Sequence, residues 1–75
     1  MSIRVKLAVL LAERQMLLKD LEEKTGIALN NLSVLKTDKA KAIRFSTLEE
    51  LCKALNCQPG DLLEYIPEKK EKERI

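Results

Sequence analysis

The sequence predicts an all-α fold, a compact domain of five short helices formed by 75 residues. Apolar residues recur three and four positions apart in successive segments, as they do along the buried face of a helix, and good helix formers surround them. Gly26 and Asn56 follow two of these segments and readily adopt the left-handed conformation that ends a helix, whereas Pro59 suits a first helical turn. A chain of this length forms one domain. Its core must be mainly Leu, Ile, Val and Ala, because only two aromatic residues are present.

The first two helices are predicted from stripes of leucine. In "VKLAVLLAERQM" three leucines share one helical face, and the preceding "SIRV" is interpreted as a short extended arm. In "LLKDLEEKT" Leu17 and Leu21 lie one turn apart, and Gly26 ends this second helix. Only Ile27 separates that glycine from the next helical pattern. So short a connection forces the two helices to meet at a steep angle, which predicts a helix-turn-helix at about residues 17–36.

The third helix is predicted over about residues 28–36, and a rotation of 100° per residue divides it into two faces. Leu32 and Leu35 lie on the core side together with Ala28. Leu29 lies on the flank between the two faces. The opposite, outward face mixes polar and apolar side chains, and it consists of Asn30, Ser33, Val34 and Thr37.

The last two helices are predicted from their N-terminal residues. "STLEELCKALN" begins with Ser46 and Glu49 at the spacing of a capping box, in which each side chain accepts a backbone N–H at the start of the helix. "CQPGDLLEYI" starts the fifth helix. Gln58 precedes that helix, Pro59 takes its first position, and Asp61 lies in its first turn, where a negative charge is favourable.

The chain divides into a folded part and a charged end. Residues 1–66 are expected to form the domain, whereas residues 67–75, with the charged run "EKKEKERI", have no core to join and are expected to be a disordered tail. The apolar stretch near the N-terminus is interrupted by Glu13 and Arg14, so it is neither a signal segment nor long enough to cross a membrane. We therefore expect a cytoplasmic protein with no membrane partner.

The chain offers little for catalysis or metal binding. It contains no histidine, no phosphate-binding loop and no Cys–His pair, so we expect no enzyme, no cofactor and no metal. Cys52 and Cys57 are too few for a zinc site. If both lie in one helix, a spacing of five directs them to different faces, which disfavours a disulfide between them. We interpret them as small buried hydrophobic residues.

One long run resembles a known family. The residues "LKDLEEKTGIALNNLSVLKTDKAKAIRFSTLEELCKALNCQPGDLLEY" resemble the lambda-repressor-like, Cro-type helix-turn-helix domain of the XRE family, and the resemblance covers about residues 5–66. It implies a transcriptional regulator that binds double-stranded DNA at pseudo-palindromic operators as a homodimer and represses or activates transcription. The positions that match the helix-packing residues of the motif are Leu21, Gly26, Ile27, Leu32 and Leu35.

The resemblance also implies which residues contact DNA. It places the helix of 28–36 in the major groove, with base edges contacted by Leu29, Asn30, Ser33 and Val34. The amide of Asn30 suits adenine, and Leu29 and Val34 either pack against thymine methyl groups or are ordinary exposed apolar residues. Contacts to the phosphate backbone are expected from the cations and the hydroxyl near this helix, namely Lys19, Lys36, Thr37, Lys39, Lys41 and Arg44.

A homodimer needs a shared surface, and the end of the domain supplies the candidates. A short C-terminal helix beside a polar tail leaves apolar area uncovered, so we expect Leu63, Tyr65 and Ile66 to form the dimer interface. The "SIRV" arm is expected to pair across the dimer.

Four positions depart from the family pattern and support an alternative. Leu17 replaces the usual Ser or Thr cap, Leu18 the glutamine that often binds phosphate, Glu22 a small alanine, and Asp38 the glycine after the third helix. The alternative is a protein-interaction module on the same fold with weakened DNA binding, such as an antitoxin-like or anti-regulator partner. Its protein partner would contact a patch formed by Leu17, Leu18, Leu29 and Val34.

Overall fold

The computed structural model describes residues 2–37 and 39–67, which form five helices and two short strands. The predicted tail lies outside the described residues except for Pro67. None of the helices in the described ranges has the length and apolar character required to cross a membrane. In chain order the elements are β1 (Ser2–Val5), α1 (Leu7–Glu13), α2 (Leu18–Thr25), α3 (Leu29–Lys36), α4 (Phe45–Leu55), α5 (Pro59–Leu62) and β2 (Leu63–Ile66).

The fold is mostly helical but not strictly all-α, because the two ends of the domain form a small sheet. β1 and β2 pair antiparallel, with Ile3 opposite Tyr65 and Val5 opposite Leu63. The Lys6 N–H donates to the carbonyl oxygen of Leu62 at 2.7 Å, which extends the hydrogen bonding between the two segments by one residue beyond the strands. β-branched and aromatic side chains favour such cross-strand pairs. The "SIRV" segment therefore pairs within its own chain, and the expectation that it pairs across a dimer is wrong for this structure.

The fifth helix is shorter than predicted for the same reason. α5 ends at Leu62, and Leu63 already has extended backbone angles, with φ −120° and ψ 144°. Pairing with β1 holds the following residues in a strand. The proposed dimer residues Leu63, Tyr65 and Ile66 consequently lie on β2 and not on a helix.

A leucine core joins all five helices. It fills the space between them, and partly buried Val5 and Leu63 extend it to the sheet. Close packing of these aliphatic side chains holds α2 and α3 against the rest of the domain. The buried core residues of the described chain are Leu7, Leu10, Leu11, Leu21, Leu32, Leu35, Leu48, Leu51, Leu55 and Leu62.

The predicted ends of three helices are confirmed. Gly26 follows α2 with φ 76°, and Asn56 follows α4 with φ 53°, so both adopt the left-handed conformation. Gln58 precedes α5, Pro59 is its first residue, and the Gln58 N–H donates to Oδ2 of Asp61 at 2.9 Å.

The predicted capping box of α4 does not form. α4 begins at Phe45, and the carbonyl oxygen of Arg44 accepts the Leu48 N–H at 2.9 Å. Ser46 therefore lies inside the first turn, so its hydroxyl and the Glu49 carboxylate do not occupy the cap positions. The helix has no side-chain cap at this end.

The opposite end of α4 is held by an arginine from the end of α1. Nε of Arg14 donates to the carbonyl oxygen of Leu55 at 2.9 Å, and Nη2 donates to that of Asn56 at 3.4 Å. The last carbonyls of a helix have no partner within the helix, and a cation there also interacts favourably with the helix dipole. Arg14 thus joins the end of α1 to the end of α4.

Candidate nucleic-acid interface

A tight turn fixes the angle between α2 and α3. Residues 26–28 separate the helices, and the hydroxyl of Thr25 donates to the carbonyl oxygen of Leu21 at 2.8 Å while accepting the Ile27 N–H at 3.1 Å. Fully buried Leu21 and Leu32 lie in the core beneath the turn. α3 is therefore presented as a rigid element whose outer face lies at the surface.

The N-terminus of α3 is capped by a residue from α2. Ala28 precedes α3 and has no side-chain acceptor, but Oε2 of Glu22 accepts the Leu29 N–H at 3.2 Å. A carboxylate at this position satisfies an unpaired donor and interacts favourably with the helix dipole. In the sequence Glu22 was only a departure from the small alanine of the family pattern, and this contact was not predicted because it spans the turn.

The start of α2 is stabilised by a side chain from its own first turn. Leu17 has no capping side chain, as predicted, but its N–H donates to Oδ2 of Asp20 at 3.0 Å. This is one half of a capping box, and the three-residue spacing of an acid after the cap position was the signal for it. Lys19 lies exposed in the same turn, where it is available for a phosphate.

Three of the predicted base-contacting residues meet on one side of α3. Leu29, Asn30 and Ser33 line a shallow groove between α2 and α3 together with Leu18 and Glu22. Leu29 and Asn30 are exposed, whereas Ser33 is half-buried. The groove therefore combines an amide and a hydroxyl with apolar surface and one carboxylate.

The fourth predicted residue lies near Asn30 on the outward face of α3 but borders a different groove. Val34 lines a second groove, between α3 and the segment that leads into α4, with Asn31 and Arg44. Asn31, which was not among the predicted base contacts, is exposed. Its amide is a second candidate for a base contact, and its position 100° from Asn30 on the helix was the signal in the sequence.

The predicted phosphate contacts lie at the end of α3 and in the segment that follows it, except for Lys19, which lies in the first turn of α2. Lys39 is tied to this helix by its backbone, because its N–H donates to the carbonyl oxygen of Val34 at 3.0 Å. This hydrogen bond holds the start of the loop, which carries Lys41 and Arg44, against the end of α3. All of the predicted cations are exposed, namely Lys19, Lys36, Lys39, Lys41 and Arg44.

Thr37 differs from these cations because its backbone N–H and its hydroxyl already donate hydrogen bonds within the last turn of α3. Its N–H donates to the carbonyl oxygen of Ser33 at 3.0 Å, and its hydroxyl donates to the same oxygen at 2.9 Å. The hydroxyl also lies 3.3 Å from the carbonyl oxygen of Val34. A phosphate accepts hydrogen bonds, so Thr37 would have to release one of these contacts to bind it.

The predicted dimer residues are unequally exposed. Tyr65 is 55% exposed and lies beside Ile3, its partner in β1, which is 60% exposed. Leu63 and Ile66 are half-buried, and Leu63 packs against the core. The uncovered apolar area on this sheet therefore comes mainly from Tyr65 and Ile3.

Comparison with known proteins gives one family and several relatives. The profile of the Cro/C1-type HTH DNA-binding domain matches residues 6–68. The chain is 58% identical over 65 residues to the uncharacterized HTH-type transcriptional regulator YozG of Bacillus subtilis (strain 168), a match that covers 87% of this chain and 77% of YozG.

Two solved structures share the fold. A putative DNA-binding protein from Bacteroides fragilis superimposes with a TM-score of 0.74 and 25% identity, covering 84% of this chain and 100% of that protein. The transcriptional regulator VanUg superimposes with a TM-score of 0.70 and 31% identity, covering 91% of this chain and 92% of VanUg.

Proposed function

Because the chain belongs to the Cro/C1-type helix-turn-helix family of transcriptional regulators, which are not enzymes, we propose that it is a sequence-specific DNA-binding protein that acts as a dimeric, repressor-type regulator. α3 enters the major groove of double-stranded DNA in this proposal. The observation that carries it is the packing of α3 against the core, which leaves Asn30 and Val34 exposed on its outer face, with exposed cations at and after its C-terminal end.

The outer face of α3 supplies the choice of sequence. The amide of Asn30 can bind N6 and N7 of adenine at once, and such a pair contributes about 1–3 kcal/mol of discrimination. Leu29 and Val34, 42% and 44% exposed, have the apolar surface that packs against thymine methyl groups. Ser33 can donate to or accept from either type of base. The proposed site therefore favours A·T base pairs.

The cations supply orientation and affinity. Each lysine or arginine that neutralises a phosphate releases counterions, so binding weakens as salt is added. If each half of a dimer contacts three or four phosphates, the log–log slope of affinity against salt is roughly −5 to −7. Phosphate contacts of this kind fix the position of the protein but do not select a sequence.

Dimerisation follows from the small size of the reading surface. One helix contacts only a few base pairs, and a two-fold dimer places two such helices at half-sites about 34 Å apart. We propose the β2 residues Leu63, Tyr65 and Ile66 as the shared surface. Support comes from the apolar area of Tyr65 beside Ile3, which an isologous contact between two copies would bury.

A gel-shift titration over a salt series tests the proposal. The probes are the duplex upstream of the gene for this protein and a shuffled duplex of the same composition. We expect a complex on the first duplex that weakens steeply with salt and contains two chains per operator. Equal affinity for both duplexes, or a complex that is insensitive to salt, contradicts the proposal.

A second candidate function is a protein-interaction module on the same fold. The observation that favours it is the Glu22 carboxylate in the groove between α2 and α3, on the side proposed to face DNA, with Leu17 exposed nearby. A negative charge there opposes the approach of phosphate. This candidate is supported if the chain binds no duplex in a salt-sensitive manner and a specific protein co-purifies with it.

A further inference from the structure

The two cysteines of the chain meet at the C-terminal end of α4. The helix ends at Leu55, and Asn56 turns the chain back with φ 53° and ψ 57°. The Cys57 N–H then donates to the carbonyl oxygen of Cys52 at 3.0 Å. The argument against a disulfide assumed that both cysteines lie in one helix, and it does not apply because Cys57 lies beyond the end of α4.

The backbone around the pair has the six-residue hydrogen bond of a Schellman motif, from the Cys57 N–H to the carbonyl oxygen of Cys52. The Asn56 N–H also reaches the Cys52 oxygen, as in the simpler αL type of helix end, and in turns of this kind the side chains of the first and last residues frequently contact each other. That contact is usually between two hydrophobic residues. Here it joins two thiols, and both cysteines are half-buried rather than buried.

The pair is accessible from a groove of its own. Cys52 and Cys57 line a groove of about 490 Å³ with Phe45, Leu48 and Pro59. None of the residues that line this groove also lines the two grooves beside α3. A small molecule can therefore reach the sulfur atoms without passing through the proposed DNA interface.

We propose that Cys52 and Cys57 form a site of reversible oxidation, at which a hydroperoxide converts the two thiols into an intramolecular disulfide. A disulfide requires Cα atoms about 4.4–6.8 Å apart. The direct hydrogen bond between the two backbones keeps the residues within such reach, so the site exists before oxidation. Rotation of the side chains is the main change needed for the bond to form.

The reaction balances with the hydroperoxide as the oxidant. One thiol gives its proton to solvent, and the thiolate attacks a peroxide oxygen and breaks the O–O bond. This step leaves a sulfenic acid on the protein and, after protonation, releases water or an alcohol. The second sulfur then attacks the sulfenic sulfur, the S–O bond breaks, and the hydroxyl leaves as water with the proton of the second thiol. With hydrogen peroxide, the two thiols become one disulfide and two waters form.

The surroundings of Cys57 determine how the rate depends on pH. Burial raises the pKa of this thiol, as do the neighbouring Cys52, which hydrogen-bonds to it, and the Asp61 carboxylate of α5, whereas the guanidinium of Arg14 at the end of α1 acts in the opposite direction. The thiolate is the reactive form. The thiolate fraction of Cys57 at neutral pH is therefore smaller than that of an ordinary exposed thiol, and attack by Cys57 on a hydroperoxide accelerates as pH rises.

Mass spectrometry of the full chain tests the site. The reduced protein is treated with hydrogen peroxide at neutral and alkaline pH, alkylated under denaturing conditions and weighed intact. We expect the number of alkyl groups per chain to fall from two to none. The mass of the oxidised, unalkylated chain should be lower by two hydrogen atoms, and the protein should remain a monomer. A dithiol reductant should reverse the change completely. Oxidation should accelerate by up to about tenfold per pH unit in the range where the thiolate fraction rises with pH.

Two variants and one spectrum complete the test. C52S and C57S each lack one thiol, so neither loses two hydrogen atoms, and each retains one alkylatable or oxygenated sulfur. The far-ultraviolet circular dichroism of the oxidised protein should equal that of the reduced protein, because the turn that brings the two cysteines together at the end of α4 already exists before oxidation. Disulfides formed only between chains, accumulation of sulfinic acid in place of the disulfide, or loss of helix on oxidation each overturn the proposal.

Discussion

Oε2 of Glu22 in α2 accepts the backbone N–H of Leu29, the first residue of α3, at 3.2 Å. The contact joins the two helices of the helix-turn-helix at the end of α3 that lies nearest to the turn. It has two opposed consequences. The carboxylate satisfies and stabilises the N-terminus of α3. Its negative charge also lies in the groove that is proposed to face the phosphates of DNA.

Glu22→Ala is expected to lower the free energy of unfolding by about 1 kcal/mol, the usual cost of losing a helix cap. Ala28 cannot replace the acceptor, so the Leu29 N–H would have to bind water. Urea denaturation followed by circular dichroism measures the change. Glu23→Ala is the matched control, because Glu23 is exposed on the same helix. Equal losses in the two variants would show that helix propensity, rather than the cap, is responsible.

Glu22→Gln separates the charge of this side chain from its hydrogen bond. The amide oxygen can still accept the Leu29 N–H, so we expect stability within about 0.5 kcal/mol of the parent chain. Removing a negative charge from the DNA-facing groove should strengthen binding to DNA several-fold at low salt and less at high salt. Glu23→Gln changes the net charge equally. A gel shift in which both variants gain the same affinity would assign the effect to net charge.

The two glycines of the chain predict a contrast in stability. Gly26 has φ 76°, whereas Gly60 has an ordinary backbone within α5, and at both positions the described residues leave open space within 4 Å of where a Cβ would lie. Gly26→Ala should therefore destabilise the fold by about 1 kcal/mol through backbone strain alone. Gly60→Ala should be neutral or stabilise by up to about 1 kcal/mol, because it reduces the entropy of the unfolded chain. Urea midpoints that fall equally in the two variants would contradict this explanation.

The parts of the fold that depend on local patterns could be predicted from the sequence. The helical spacing of leucine gives the core faces of α1 to α4, and the left-handed preferences of Gly26 and Asn56 give two helix ends. Pro59 and Asp61 likewise mark the start of α5. In each case the residues that determine the structure are within a few positions of each other.

The parts that depend on distant residues could not be predicted in this way. β1 and β2 are far apart in the sequence although they pair in the fold, and the residues "LEYI" of β2 continue an apolar pattern that also suits a helix. Most of the outward face of α3 could be predicted, since it needs only the helical period, but Ala28 was placed on the core side and is exposed. The Glu22 cap could not, because it depends on the angle that the turn sets between α2 and α3. The contact between Cys52 and Cys57 is an exception, because it follows from the left-handed Asn56 that ends α4 and is therefore within reach of the sequence.

Arg14→Ala is expected to cost about 1–2 kcal/mol of stability. The variant removes the donors to the last carbonyl oxygens of α4, at Leu55 and Asn56, and hydrogen bonds from charged groups contribute more than neutral ones. Partial exposure of the guanidinium reduces the effect. Lys53→Ala is the control, because its contact with Glu50 is a 3.9 Å pair at the surface and should contribute less than about 0.5 kcal/mol. Thermal melts in which the control loses as much as Arg14→Ala would contradict this role.

Asn30→Ala and Lys41→Ala should change DNA binding in different ways. Asn30 lies on the outer face of α3, so its loss should remove about 1–3 kcal/mol of preference at one base pair of each half-site. Lys41 lies in the segment between α3 and α4, so its loss should weaken binding to all DNA sequences equally. It should also reduce the salt slope by about 0.9 per lost phosphate contact. Competition binding with single-base operator variants, repeated at several salt concentrations, measures both effects. If Lys41→Ala altered sequence preference while Asn30→Ala changed only the salt slope, α3 would have to bind DNA with a different face from the one proposed.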